Sequence, residues 1–490
     1  MRLFFWRALL VLLIGLVVLA VTAWLLLLRP VAQPATNDPA RLFNHGSIGN
    51  EESQGLPYWI WRVMPAVFPD LLPRGRDGYG SIGMFWAKGD EVPVGFSVMT
   101  LGVIPRVAPN CAFCHQSSYR LTPQDPARLV SAGAGGRVDP QSYIRFLMRA
   151  GTDPRFTSDR LMQEIQAIYA MPLWERVLYR YLLIPATRSA LKDQAQRFAW
   201  MASRPDWGPG RIDPFNPVKF FNLGLPDDDT IGNSDMMPLW RLSTIDPTPL
   251  RRPALHWDGL LTDLHETVVA GAIGDGMTYK SYGRTRETLQ RMEDFARLQA
   301  PPPSPFSSSE PEGDAFHVPA SAVAAGKAIY AAQCAVCHEP GGARFRTVIP
   351  IVELGTDRHR LDMWTPEAAA RYSNYERDHP WGFRYFQKTD GYVANELTGL
   401  WLRGPYLHNG SVPNLRALLL PPNQRPASFY RGSDLIDAAN GGFVSAPDAE
   451  PNRTWHYDTT LPGNGRDGHL WGTDLPPAER EALLAFLKTL

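Results

Sequence analysis

The chain contains four cysteines, and all of them lie in one pattern that occurs twice: Cys111-Ala112-Phe113-Cys114-His115 and Cys334-Ala335-Val336-Cys337-His338. Two thiols three positions apart on a helical turn can each bond one vinyl-derived carbon of a porphyrin. The histidine that follows then points its imidazole at the iron from the proximal side. C-x-x-C-H is the attachment signature for c-type haem. A thioredoxin-like redox pair or half a zinc site would also use two cysteines, but neither needs the histidine. The expectation is two covalently bound haem c groups, tethered by Cys111, Cys114, Cys334 and Cys337, with His115 and His338 as proximal metal ligands. No cysteine is left for a structural disulfide, so stability must come from packing and from the cofactors.

The N-terminus adds a second constraint. Residues 8–28 form an uncharged apolar run of 21 residues. At about 1.5 Å per residue this run spans roughly 30 Å, the thickness of a bilayer core. Arg2 and Arg7 precede it and only Arg29 closely follows. The positive-inside rule therefore predicts a single-pass inner-membrane anchor with its N-terminus in the cytoplasm and the haem domains in the periplasm. A cleaved signal peptide is the rival reading. Its apolar core is normally about 7–15 residues, whereas here Val21-Thr22-Ala23 is followed by further leucines. Lysine plus arginine and aspartate plus glutamate each number 49. This balance leaves no electrostatic footprint for nucleic acid, which is not expected as a partner.

A length of 490 residues suggests two to four domains. The expected order is an anchor at 1–30, a first haem domain at 40–298, a Pro/Ser-rich linker at 299–314 and a second haem domain at 315–490. Helical apolar spacing is visible at 140–151 and 161–183, and again at both ends of the last domain. Pro476 and Pro477 suit a helix start. Between those end helices lies a long Gly/Pro/Asn-rich stretch. Its aromatics (Trp364, Tyr372, Tyr375, Trp381, Tyr385, Phe386, Trp401 and Tyr406) argue for order. The predicted fold is mainly α, with two cytochrome c-type haem domains, long ordered loops and one N-terminal transmembrane helix.

At the second motif, AAGKAIYAAQCAVCHEPGG (324–342) resembles the first helix and haem-binding turn of class I cytochromes c. In that family a Gly and an aromatic, here Gly326 and Tyr330, mark the crossing of the first and last helices, and EREALLAFLKTL resembles that last helix. The family's sixth ligand is a methionine just before the last helix. The corresponding segment here, GHLWGTDLPPAER, carries His469 instead. The resemblance thus implies a His338/His469 iron of low potential, since two imidazoles favour the ferric state.

A second resemblance is carried by ELTGLWLRGPYLHNGSVPNLRALLLPPNQRPASFYRG (396–432) and LPGNGRDGHLWGTDL (461–475), and more loosely by DMMPLWR (235–241) and LHWDGLLTDLHE (255–266). These segments resemble dihaem cytochromes related to bacterial cytochrome c peroxidases, nearest to the branch that includes the dihaem rubber oxygenases. The resemblance implies one catalytic and one electron-transferring haem. It places Arg403, Tyr406 and His408 near a haem, with Arg403 as a propionate partner and His408 as a rival to His469. His256 and Trp257 fall in the expected distal pocket of the first haem as catalytic candidates. His256, His265, Met236, Met237 and Met277 are its candidate sixth ligands, or the position is open. Glu266 is a candidate acid/base group. His45, His317, His359, His379 and His456 lack ligand-like context. Calcium between the haem domains is common among the peroxidase relatives, although no run of acidic residues marks a site here.

Three functions follow from this reading: a peroxidase-like enzyme in which the second haem feeds electrons to the first, a dioxygenase acting on an apolar substrate at the first haem, and a non-catalytic relay. The electron donor would be a cytochrome, a cupredoxin or a membrane quinol-oxidising complex.

Overall fold

The computed structural model describes residues 2–27, 29–31, 33, 36–73, 78–245, 253–375, 383–447 and 454–490. His379 and Trp381 lie outside the described residues. Helix accounts for about 44 % and strand for about 12 % of the chain, so the fold is helix-dominated with more short strands than the sequence suggests.

The apolar N-terminal segment is one helix, Arg2–Leu27, and its stretch Phe4–Leu25 has the length and apolarity that a membrane span or a signal sequence requires. The chain then enters an antiparallel sheet in the order Pro30–Val31, Phe96–Leu101, Ile104–Pro109, Leu56–Pro57. Helix Tyr58–Val67 packs on that sheet, Ser158–Ile168 packs on Tyr58–Val67, and Pro140–Thr152 sets Tyr143 against Phe96 of the sheet. In Pro140–Thr152, Asp139 caps the first turn and Pro140 occupies the first helical position, where a missing N–H costs little. Tyr143, Phe146, Leu147 and Ala150 form its buried face.

The apolar pattern at 161–183 does not give one helix. It stops at Ile168, resumes at Leu173–Leu178, passes through a π-helical turn at Tyr179–Leu183 and continues as Ile184–Arg197. Pro172 explains the break, because its ring disfavours helix in the residue before it and it has no N–H to donate.

Near the C-terminus, Ala320–Gln333 crosses Pro477–Thr489 with almost no space between the backbones. A Cβ built on Gly326 would fall 2.0 Å from the carbonyl oxygen of Ala482, and Tyr330 packs on Phe486 with ring centres 5.2 Å apart. The largest buried cluster draws on both halves of the chain, from Phe43 and Leu289 to Trp364, Trp401 and Phe443. Within the expected linker, Phe306 is buried beneath the Lys488 ammonium, and the Ser304 hydroxyl donates to the Lys488 carbonyl.

Candidate haem sites

Each C-x-x-C-H motif forms a single helical turn, and each histidine is aimed by a distant backbone carbonyl. At the first motif, Asn110 caps the turn Cys111–Cys114 by accepting from the Ala112 N–H, and its amide donates to the Phe43 and Gly46 carbonyls. His115 Nδ1 donates to the Met237 carbonyl at 2.8 Å. At the second, His338 Nδ1 donates to the Asn395 carbonyl at 2.6 Å. A bond of this kind fixes ring orientation and tautomer and leaves Nε2 as the lone-pair donor. Burial pushes both imidazoles below the usual histidine range, which keeps them neutral.

One cavity of about 890 Å³ runs past both motifs and is lined by all four cysteines, both proximal histidines, His256, His408 and His469. Across it, the His338 and His469 ring centres are 6.3 Å apart at an interplanar angle of 42°. A metal bonded at about 2 Å to one nitrogen of each ring, with each ring centre about 1 Å further on, gives a separation of about 6 Å. His469 has φ +48°, in the left-handed region that a non-glycine residue seldom occupies. Its loop is held from behind by Arg425, which donates to the carbonyls of Arg466, Gly468 and His469. Burial, then the neighbouring His338, lowers the His469 pKa to about 4.

The first motif has a different neighbour, since His115 lies close enough to His256 to disfavour its protonation. His256 also lines the cavity in left-handed backbone (φ +63°), with its ring edge-on to Phe215 and its buried Nε2 without a hydrogen-bond partner. Burial is the main cause of its pKa falling to about 4; Arg360 and His115 oppose its charge and Asp258 favours it. Trp257 anchors this segment by donating its indole N–H to the Asp235 carbonyl at 2.7 Å, and the buried Asp258–Arg360 pair closes it from below. Met236, Met237 and Met277 reach the same cavity. His265 does not line it; its ring is engaged by Glu293 and Tyr282. Glu266 accepts from the Arg384 and Tyr385 backbone N–H groups, a role that orders a loop.

His408 lies apart from the His338/His469 pair. It stacks on Tyr392 with ring centres 3.8 Å apart, and burial lowers its pKa to about 3. The Tyr406 hydroxyl donates to the Leu400 carbonyl. Beside His338, Arg403 donates to the Glu396 carbonyl at 2.6 Å and to that of Thr398, and its Nε has no partner. Arg346 is its neighbour, likewise buried with an unpartnered Nε, and it donates to the Asn395 side chain at 3.0 Å. Burial, reinforced for Arg403 by the like charge of Arg346, lowers each guanidinium to about 10. Of the remaining histidines, His45 bonds Asp90, His359 bonds Asp357, His317 bonds the Glu310 carbonyl, and His456 lies edge-on to Tyr430.

These features fit a haem group at each motif. They comprise neutral imidazoles aimed into one cavity, thiols on its wall, and buried guanidinium N–H groups suited to carboxylates. Among the described residues no group of three or more His, Cys, Asp or Glu side chains could hold a separate metal ion. Sequence reasoning missed Arg346, Arg360 and Arg425. Nothing local in the sequence distinguishes them from the chain's other arginines, and their burial marks them.

Comparison with known proteins identifies the second motif's surroundings. Residues 321–377 match the family model for cytochrome C oxidase, cbb3-type, subunit III, and residues 391–430 match the model for RoxA-like, cytochrome c-like proteins. An uncharacterized protein, y4iM, of Sinorhizobium fredii is 31% identical over 186 residues, covering 31% of this chain and 42% of that protein. A second, y4iJ, of the same organism is 39% identical over 108 residues, covering 20% of this chain and 18% of that protein. The chain thus spans less than half the length of either relative. Cytochrome c domains imply covalently bound haem c and support haem-based electron transfer. These matches support a c-type cytochrome.

Proposed function

We propose that this protein is a dihaem redox enzyme of the periplasm, peroxidase-like, with an electron-transfer centre at His338 and a reactive centre at His115. When bound, the two haem groups supply one-electron redox chemistry, for the overall reaction H2O2 + 2 e− + 2 H+ → 2 H2O. The reading rests on one observation: the two proximal histidines face different partners. His338 looks at His469 across the spacing of a single metal, whereas His115 has His256 near enough to disfavour that ring's protonation, and the buried Nε2 of His256 is unpartnered.

In this reading the cysteines would tether the haem groups, His338 and His469 would hold one iron between them, and Arg346 and Arg403 would offset propionate charge. With its pKa lowered to about 4, His256 is neutral at neutral pH, and its Nε2 would hold a proton only in passing and give it up readily. Trp257 fixes the His256 segment through Asp235, and the apolar walls (Phe113, Leu147, Phe215, Val268) exclude bulk water. An external donor, either a small cytochrome or cupredoxin or a quinol-oxidising membrane complex, supplies electrons at the His338 side. The apolar walls and the RoxA-like match favour a second reading, oxygenation of an apolar substrate at the His115 centre.

The test is peroxide consumption by the reduced holoprotein. Turnover that falls by about 100-fold or more in His256→Ala supports the proposal. Oxygen uptake dependent on an apolar substrate, with no peroxide consumption, would establish the second reading instead. Neither activity would leave a relay.

A further inference from the structure

The helical segment that follows Pro172 turns an unusual face to solvent. Leu173 and Tyr181 are 75% and 73% exposed, Trp174, Val177 and Leu182 are also exposed, and so is Ile168 at the end of the preceding helix, although every one of them is large and apolar or aromatic. Spacings of four residues (173, 177, 181) place three of them on one stripe. A contiguous apolar face of this kind on a protein body marks a contact surface. Its composition, with leucine and valine between a tryptophan and a tyrosine and the exposed Arg176 and Arg180 in the same segment, is that of a segment at a membrane–water interface.

The fold says what lies next to it. The N-terminal helix joins the body through Pro30–Val31, which pairs with Thr100 and Leu101; Leu101 in turn pairs with Ile104 across a hairpin whose tip, Val103, is also exposed. Two residues along that strand is Arg106, which pairs with Pro57 and lies close enough to Tyr179 to affect its ionisation. From Pro57 the chain enters the helix whose Trp59 stacks on Tyr169, ring centres 4.1 Å apart, at the root of the exposed face. At roughly 3.3 Å per strand residue, the anchor junction and the apolar face are separated by only a few residues of sheet.

We propose that this face is a second membrane contact that lays the body on the phospholipid surface beside its N-terminal anchor. The contact rests on reading Phe4–Leu25 as an anchor, and it orients the His115 cavity, whose rim includes Gln194 and Arg197 of the same helical run, relative to the bilayer.

The full-length holoprotein, with a protease site inserted at residue 35, is reconstituted into protein-free vesicles of phosphatidylethanolamine with a minority of phosphatidylglycerol. It is floated before and after cleavage. A Leu173→Glu/Trp174→Glu/Tyr181→Glu variant is treated alike, with its haem spectrum as the check on folding. The contact predicts that both proteins float uncleaved, that the cleaved wild-type body stays with the vesicles, and that vesicle-bound cleaved variant falls by about tenfold or more. Equal retention or equal release of the two cleaved bodies overturns the contact alone. Failure of the uncleaved wild type to float overturns the anchor as well. Retention in native membranes but not in pure lipid overturns the lipid assignment in favour of a membrane protein.

Discussion

Arg403 offers a prediction whose sign depends on whether the cavity holds an anion. Its guanidinium and that of Arg346 are buried, each with an unpartnered Nε, and each is lowered from 12.5 to about 10. At 1.36 kcal/mol per pKa unit, holding each cation costs about 3 kcal/mol even with the Glu396 carboxylate nearby. Haem carboxylates would remove that cost. Arg403→Met should therefore leave the protein unchanged or stabilise it by up to about 3 kcal/mol in a Cys334→Ala/Cys337→Ala background, where the second haem is not tethered. In the holoprotein the same substitution should destabilise. It should also lower the midpoint potential of the His338 centre, because removing a nearby positive charge favours the ferric state. If a third of the 3 kcal/mol reaches the iron, the shift is about 1 kcal/mol, or about 40 mV for one electron. Arg403→Lys, which keeps the charge but not the planar fork, should recover most of the potential and less of the stability. Guanidinium unfolding and optical potentiometry read both quantities. An unshifted or raised potential in Arg403→Met would refute the assignment.

Three further outcomes are expected. Gly326→Ala should destabilise the protein by about 3 kcal/mol or more, because its methyl meets the Ala482 backbone rather than a movable side chain; an unfolding midpoint equal to wild type contradicts this. Arg425→Met should loosen the 466–469 backbone and convert part of the low-spin absorption to high-spin without loss of covalent haem, and an unchanged spectrum would show that Arg425 does not position His469. His265 is raised above the ordinary range by its hydrogen bond to Glu293, so its contribution to stability is complete below about pH 6.5 and is lost as pH rises through the higher folded value; His265→Gln should flatten this part of the stability–pH curve, and parallel curves for the two proteins count against the pairing.

What could be read in advance followed from how local each constraint is. Covalent attachment fixes a five-residue pattern, so both C-x-x-C-H turns were visible as residues. Gly326, Tyr330, the last helix and the candidate ligand His469 were legible through the resemblance to class I cytochromes c, and the helix crossing at Gly326 is seen in the structure. The partners that aim the proximal rings are backbone carbonyls of Met237 and Asn395, 122 and 57 residues away, and a carbonyl carries no sequence signature. Arg346 reaches the site only because Val348–Pro350 pairs with Gly391–Val393, a register that no local pattern encodes. The apolar spacing at 161–183 looked continuous because Pro172 fits the helical period while breaking the hydrogen bonds. Phe306 in the Pro/Ser-rich segment gave no signal of burial, since its neighbours are those of a linker and its packing partner, Lys488, is remote in sequence.

The central claim, that the two centres are ligated differently, is tested most directly by EPR of the oxidised full-length protein and its His469→Ala variant, with and without peroxide. The account predicts a low-spin bis-histidine signal that becomes high-spin in His469→Ala, beside a second signal that changes when peroxide is added to the one-electron-reduced protein. Two low-spin signals, neither altered by His469→Ala nor by peroxide after one-electron reduction, would contradict it.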